Sequence, residues 1–323
     1  MVTWLLALGA MAQDATVEVT ARLLPAEAPP PKPTAALKVT LLPGIGLAGG
    51  TDRPVDGVSV GFVTWSPAVR GVDAGLVTVV NGPVEGVQGG LVAVAQQVDV
   101  QGASSVAWAR EVSALQLSGG MAVASQHVGG LQAAPLTYAR TFKGAQLGLL
   151  NVAGDGQGVQ VGLLNVAKTM DGPSFGLLNL VGDGMHHVDV WTSESAVANV
   201  GLKLGSDWMY TMAGVGYVSP GGPWWTAGGG LGFQIPTRPV WVQGDFSGWG
   251  VVEQGVLLPG VHGMARVQAG LRLAEHFSPF VGASFNTWSG NGQTWPAFLN
   301  WPVGLARGRK LASWPGLHAG LQF

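Results

Sequence analysis

From Gly57 to Leu180 the chain repeats one phrase about every fourteen residues. The clearest copies are Gly144-Ala-Gln-Leu-Gly-Leu-Leu-Asn-Val-Ala, Gly158-Val-Gln-Val-Gly-Leu-Leu-Asn-Val-Ala and Ser174-Phe-Gly-Leu-Leu-Asn-Leu. Nine copies begin at Gly57, Gly71, Gly86, Asp99, Ala114, Gly130, Gly144, Gly158 and Gly172. The third position is Gln88, Gln101, Gln116, Gln132, Gln146 or Gln160, with Ser59, Asp73 and Ser174 as exceptions; the fifth is always Gly, Ala or Ser. Such a period marks one structural unit per repeat, each burying its apolar surface only against its neighbours. About nine residues of strand and about five of turn account for it. Breakers stand where turns are needed, at Asn81-Gly82-Pro83, Gly154-Asp155-Gly156 and Asp171-Gly172-Pro173.

After His187 the repeat dissolves and strict alternation takes over. Val200, Leu202 and Leu204 oppose Asn199, Gly201 and Lys203. Trp225, Ala227, Leu231, Phe233 and Ile235 oppose Thr226, Gly228, Gly230, Gly232 and Gln234, and Ala265, Val267, Ala269 and Leu271 oppose Arg266, Gln268, Gly270 and Arg272. Period two with one wholly apolar face is a strand signal. No helical pattern offers to cover that face. Tryptophans gather here, at Trp191, Trp208, Trp224, Trp225, Trp241, Trp249 and Trp288, and are expected as interfacial girdles of a transmembrane β-barrel.

Two arrangements suit a fourteen-residue period. Each repeat is one antiparallel strand of a continuous sheet, or the repeats stack in parallel as a solenoid with Gln and Asn ladders. One strand over Val39 to Leu47, nine repeats and about eight later strands give roughly 16–18 strands, an even number as single-chain bacterial barrels require. The expectation is therefore an all-β, antiparallel transmembrane barrel of that size, with the repeats supplying about half its strands. The alternative is a β-solenoid attached to a smaller barrel.

Residues 1–12 read as a signal peptide: an apolar Trp4 to Leu8 and Ala10-Met11-Ala12 before Gln13, without a basic start. Residues 13–35, with Pro25, Pro29, Pro30, Pro31 and Pro33, read as a linker. Residues 36–185 form the repeat half of the barrel and 186–323 its C-terminal strands. With 16 basic and 18 acidic residues the net charge is -2, which gives no footprint for nucleic acid. The absence of cysteine excludes disulfides and thiolate metal sites.

The last strand places Leu317, Ala319, Leu321 and Phe323 on one face and Gly316, His318, Gly320 and Gln322 on the other. A chain ending on an aromatic in this way resembles bacterial outer-membrane proteins, whose final strand is read by the barrel assembly machinery; Phe323 is thus the candidate assembly signal. The repeats at Gly144 and Gly158, the sequel Gly184-Met-His-His-Val-Asp-Val-Trp-Thr-Ser-Glu194 and the opening Leu42-Pro-Gly-Ile-Gly46 resemble a family of bacterial surface-repeat outer-membrane proteins of unknown function. The resemblance covers most of residues 38–323. Repeats four to six depart from it, lacking the Asn and much of the Gly. It implies outer-membrane or cell-surface location and architecture, with lipid and the assembly machinery as partners, but no activity.

No catalytic constellation is evident, and neither enzyme activity, a metal nor a cofactor is expected. His186 and His187 are adjacent on a strand and point to opposite faces, so with Asp189 they make a poor metal pair. Glu194 has no carboxylate partner at a fixed spacing. The glycines of Gly228-Gly229-Gly230-Leu231-Gly232 lie in a strand pattern, not a phosphate loop. The candidate functional residues are charges on the inward face: Lys203, Asp245, Arg266 and Arg272. They would line an open channel for small solutes, biased toward anions, or pair with one another inside a plugged barrel. The segment 289–313, with Arg307, Arg309 and Lys310, is expected as an external loop, lid or plug. The functional alternatives are a passive channel and a non-conducting surface, adhesion or envelope-structural protein.

Overall fold

In the computed structural model the described residues are 33–42, 45–48, 52–218, 224–235, 237–253, 256–257, 260–274, 276–290, 306–307 and 311–323. The expected signal peptide, nearly all of the Pro-rich linker and most of 289–313 lie outside them. The described residues are all β, with no helix. They form two compact units: those up to Gly130 with Tyr138–Arg140, and Leu131–Thr137 with Thr141–Phe323.

The repeats pair in parallel. In the first unit Gly57 pairs with Gly71 and Gly61 with Gly75, an offset of one repeat. In the second Asn151 pairs with Asn165 and Asn165 with Asn179. Each repeat is therefore one coil of a solenoid-like stack. The expected single barrel of 16–18 antiparallel strands does not form, because antiparallel neighbours cannot place identical residues in register side by side. A single coil also holds more than one extended segment. Leu150–Val161 is followed by a bend at Gly162-Leu163, and Leu164–Asp171 continues the coil. The expected unbroken nine-residue strand ran across that bend. The first expected strand is likewise two, Ala35–Leu42 and Ile45–Ala48, the former parallel to Val55–Ser66.

Local chemistry explains the repeat. The first-position glycines Gly57, Gly71, Gly86, Gly144, Gly158 and Gly172 all have φ between 121° and 142°, a region that side chains with a Cβ avoid. A Cβ on Gly158 would also overlap the carbonyl oxygen of Gly144 in the preceding coil. The third-position glutamines are fully buried and form ladders. Gln101 Nε2 donates to Gln88 Oε1 and Gln116 Nε2 to Gln101 Oε1, each at 2.8 Å. In the second unit Gln146 Nε2 donates to Gln132 Oε1 at 2.8 Å and Gln160 Nε2 to Gln146 Oε1 at 2.9 Å. The eighth-position asparagines repeat the device, Asn151 to Asn165 and Asn165 to Asn179 at 2.8 Å. A buried amide costs little when its donor and acceptor both find partners.

The remainder is a closed antiparallel barrel of eight strands. They are β1 (Met185–Ser193), β2 (Ala198–Gly205), β3 (Met209–Val218), β4 (Trp224–Ile235), β5 (Val240–Glu253), β6 (Gly260–Leu271), β7 (Ser278–Gly290) and β8 (Leu311–Gln322). Neighbours in sequence are neighbours in the sheet, and β8 closes on β1 through pairs from Asp189–Gln322 to Ser193–His318. The seam extends to the C-terminus: Phe323 and Val188 exchange backbone hydrogen bonds at 2.9 and 3.0 Å.

The alternation is inverted relative to a water-soluble barrel. Val200, Leu202, Val215, Leu231, Phe246, Val267, Val281 and Leu317 are exposed on the outer wall. Lys203, Asp245, Arg266, Gln243 and Gln268 are buried inside it. The tryptophans divide, which corrects the expected girdle. Trp191, Trp241, Trp249 and Trp288 are buried, and only Trp208 and Trp225 of that set are well exposed. Inward aromatics are accommodated by glycine on the facing strand: Trp241 pairs with Gly270, Tyr210 with Gly232 and Trp249 with Gly228. A Cβ at any of these glycines would strike the ring beside it.

Candidate functional site: the barrel interior

Alternation on β1, β2, β5, β6 and β8 directs polar side chains into a lumen only wide enough for side chains to fill. Two ion pairs lie there. Lys203 Nζ is 2.6 Å from Asp189 Oδ2. Arg266 grips Asp245 with two hydrogen bonds, Nε to Oδ1 at 2.8 Å and Nη2 to Oδ2 at 3.0 Å. The first pair crosses from β1 to β2 and the second from β5 to β6, joining directly opposed residues in the latter case.

Polar side chains extend from both pairs. Lys203 donates to Gln243 Oε1 at 2.6 Å, and Gln268 Nε2 donates to the same oxygen at 2.7 Å. Gln243 Nε2 donates to Gln234 at 2.6 Å, and His318 Nε2 lies 3.1 Å from Gln268 Oε1. Asp189 also accepts from Gln322 at 3.0 Å, and Asp245 from the Tyr210 hydroxyl at 3.0 Å. The cations lie over rings: Arg266 is 4.9 Å from the Trp191 centroid and Lys203 4.9 Å from that of Tyr210. Met185, Met212, Met264, Trp249 and Phe280 fill the space between.

A second, smaller polar group gathers at Glu194. Its Oε1 accepts from Asn286 at 2.7 Å and from Ser195 at 3.0 Å. Asn286 Oδ1 lies 3.1 Å from His262 Nε2, and Trp314 stacks on His262 with centroids 5.5 Å apart. Gly316 leaves the room that Glu194 occupies; a Cβ there would overlap the carboxylate.

Of the four charges expected to face inward, Lys203, Asp245 and Arg266 meet in one network. Arg272 does not join it. It follows β6, is half-buried, and its backbone N–H donates to Pro239 O at 2.9 Å. His186 is exposed, while Asp189 is taken up by Lys203. Among the described residues no three His, Cys, Asp or Glu are arranged to hold a metal ion. The partners that sequence reasoning left unassigned are Asp189, Tyr210, Gln243, Gln268, Asn286 and His318. Inward parity was a signal available for each, but which ones meet depends on register.

Chemically, the interior is a set of buried charges and amides. Asp189 and Asp245 each have a cation and a further donor, whereas Glu194 is held by the neutral donors Asn286 and Ser195. Comparison with protein-family models, with curated proteins and with solved structures finds no match. No helix among the described residues is long and apolar enough to cross a membrane, which says nothing of a barrel.

Proposed function

We propose that this chain is a non-conducting bacterial outer-membrane protein, in which the eight-stranded barrel is the anchor and the repeat coils are the presented element. The observation that carries the reading is the inverted polarity of the barrel. An exposed apolar wall, from Val200 through Phe246 to Leu317, encloses the Lys203–Asp189 and Arg266–Asp245 pairs. In water such a wall would drive aggregation, whereas in a bilayer it is the solvated face. Strands of 8 to 14 residues suit the roughly 9–11 needed to cross the hydrocarbon core. The resemblance of the Gly144 and Gly158 repeats to surface-repeat outer-membrane proteins points the same way.

A lumen filled by Trp191, Trp241, Trp249, Met212 and Phe280 favours a plug over a passive channel. The test is twofold. Cell fractionation should recover the chain in the outer membrane, heat-modifiable on gels, and planar bilayers carrying it should show no stepwise conductance. Recovery as a soluble protein would refute the anchor. Reproducible single channels would refute the plug.

A further inference from the structure

The repeat coils carry their own division between lipid-type and water-type surface. At the fourth to sixth positions the coils of the second unit expose Leu147 and Leu149, Val161 and Leu163, Phe175 and Leu177, all between 38% and 67% accessible. Directly inside this bend lie the buried amides of Gln146, Gln160, Asn151 and Asn165. At the other end of the coil the order reverses. Phe142, Ala153, Ala167 and Met170 are buried there, while Lys143, Asp155, Lys168 and Asp171 are exposed. Across all nine repeats no Asp, Glu, Lys or Arg stands at the second to tenth positions, with the single exception of Asp73, which is fully buried. One half of each coil therefore has the polarity of the barrel wall, and the other half that of a soluble protein.

The backbone of the bend is also prepared for a dry environment. In hydrocarbon every N–H and C=O needs an internal partner. Gly148 N–H donates to Val161 O at 3.0 Å, Gly162 N–H to Phe175 O at 2.9 Å, and Leu163 N–H to Leu149 O at 2.9 Å. The asparagine ladder covers the carbonyls a second time: Asn151 Nδ2 donates to Val161 O and Asn165 Nδ2 to Phe175 O, each at 2.9 Å. A solvated bend would have water for this purpose.

We infer that the charge-free edge of the second unit's coils is seated in the acyl chains of one leaflet of the membrane, with the charged edge left in water. The occupant is lipid hydrocarbon, because the edge lacks the charge or shaped polar groups that would specify a protein partner. The reach is consistent with one leaflet only. Four residues from the first-position glycine to the bend extend about 13 Å at ~3.3 Å each, against a hydrocarbon core of about 30 Å. This inference rests on the barrel being in the membrane.

The chain has no cysteine, so single cysteines can report depth. Leu163→Cys, Lys168→Cys and, on the barrel wall, Val267→Cys are labelled with bimane in the full chain. Each is reconstituted in phosphatidylcholine vesicles with and without bromines on the acyl chains. The expected result is at least twofold quenching at positions 163 and 267 and none at 168. Quenching at 267 with position 163 behaving like 168 overturns the inference and leaves the anchor reading intact. No quenching at 267 overturns both. A probe at 163 shielded from both brominated lipid and aqueous iodide, with dimers trapped by cross-linking, assigns the edge to a second copy and overturns the lipid assignment.

Discussion

Lys203 and Asp189 face each other across β1 and β2 at 2.6 Å, each side chain 1% exposed. Neither is a directly opposed partner in the ladder, where His187 pairs with Lys203 and Asp189 with Gly201. The diagonal contact is held at both ends, where Gln322 donates to Asp189 and Gln243 accepts from Lys203.

Removing one member of that pair leaves a buried charge without its counter-ion. Lys203→Met should therefore lower stability by about 3–5 kcal/mol. Adding Asp189→Asn to Lys203→Met should restore part of the loss. Urea midpoints of vesicle-reconstituted protein measure both. Additive losses in the double variant would mean the two charges are not coupled.

The first-position glycine is required by backbone and by contact. Gly158→Ala forces a Cβ onto φ 136° and into the Gly144 carbonyl. It should cost at least ~1–2 kcal/mol. Gly102→Ala is the control, since nothing lies within 4 Å of its Cβ position. Thermal melts of the two variants should separate clearly, and equal melting would contradict the assigned coil geometry.

Asp73 takes the glutamine position in the second repeat. Burial pushes its carboxyl above the ordinary carboxylate range, against a hydrogen bond from Thr64 at 3.2 Å and the charge of Lys38. A raised folded-state pKa means that the stabilising contribution is complete below the unfolded value of about 4 and is lost as pH rises through the folded value. Asp73→Asn should flatten that decline. Its advantage over the wild type should grow with pH above about 4, as read from melting temperatures between acid and neutral pH. A constant offset across that range would show that Asp73 does not titrate differently in the two states.

Parallel stacking makes each coil a removable unit. Deleting 158–171 should leave assembly yield similar to deleting 144–171, because neither reverses the direction of the barrel strands. Were the repeats antiparallel barrel strands, the single deletion would abolish closure of β8 on β1 and the double would not. Membrane-assembled yield of the two deletions is the comparison.

The barrel was legible in the sequence where alternation leaves no choice. Trp225, Leu231 and Phe233 on β4 face outward as their parity requires, and Lys203, Asp245 and Arg266 face inward. The direction of the repeats was not legible, because a period near fourteen fits an antiparallel strand with its turn as well as a parallel coil. Val161 and Leu163 continue a period of two straight through the bend at Gly162, so the pattern concealed the coil's corner. Trp241 and Trp249 were misplaced for another reason. Their room inside comes from Gly270 and Gly228 on facing strands, and only the register reveals those pairs. The same limit hid Asp189 as the partner of Lys203.

The account stands most directly on whether the apolar wall is a lipid-facing surface. Full-length protein refolded with phosphatidylcholine vesicles, washed with alkaline urea and centrifuged through a density gradient decides it. The account predicts that the chain floats with the lipid after the wash. Chain remaining at the bottom of the gradient, folded and free of vesicles, would contradict it.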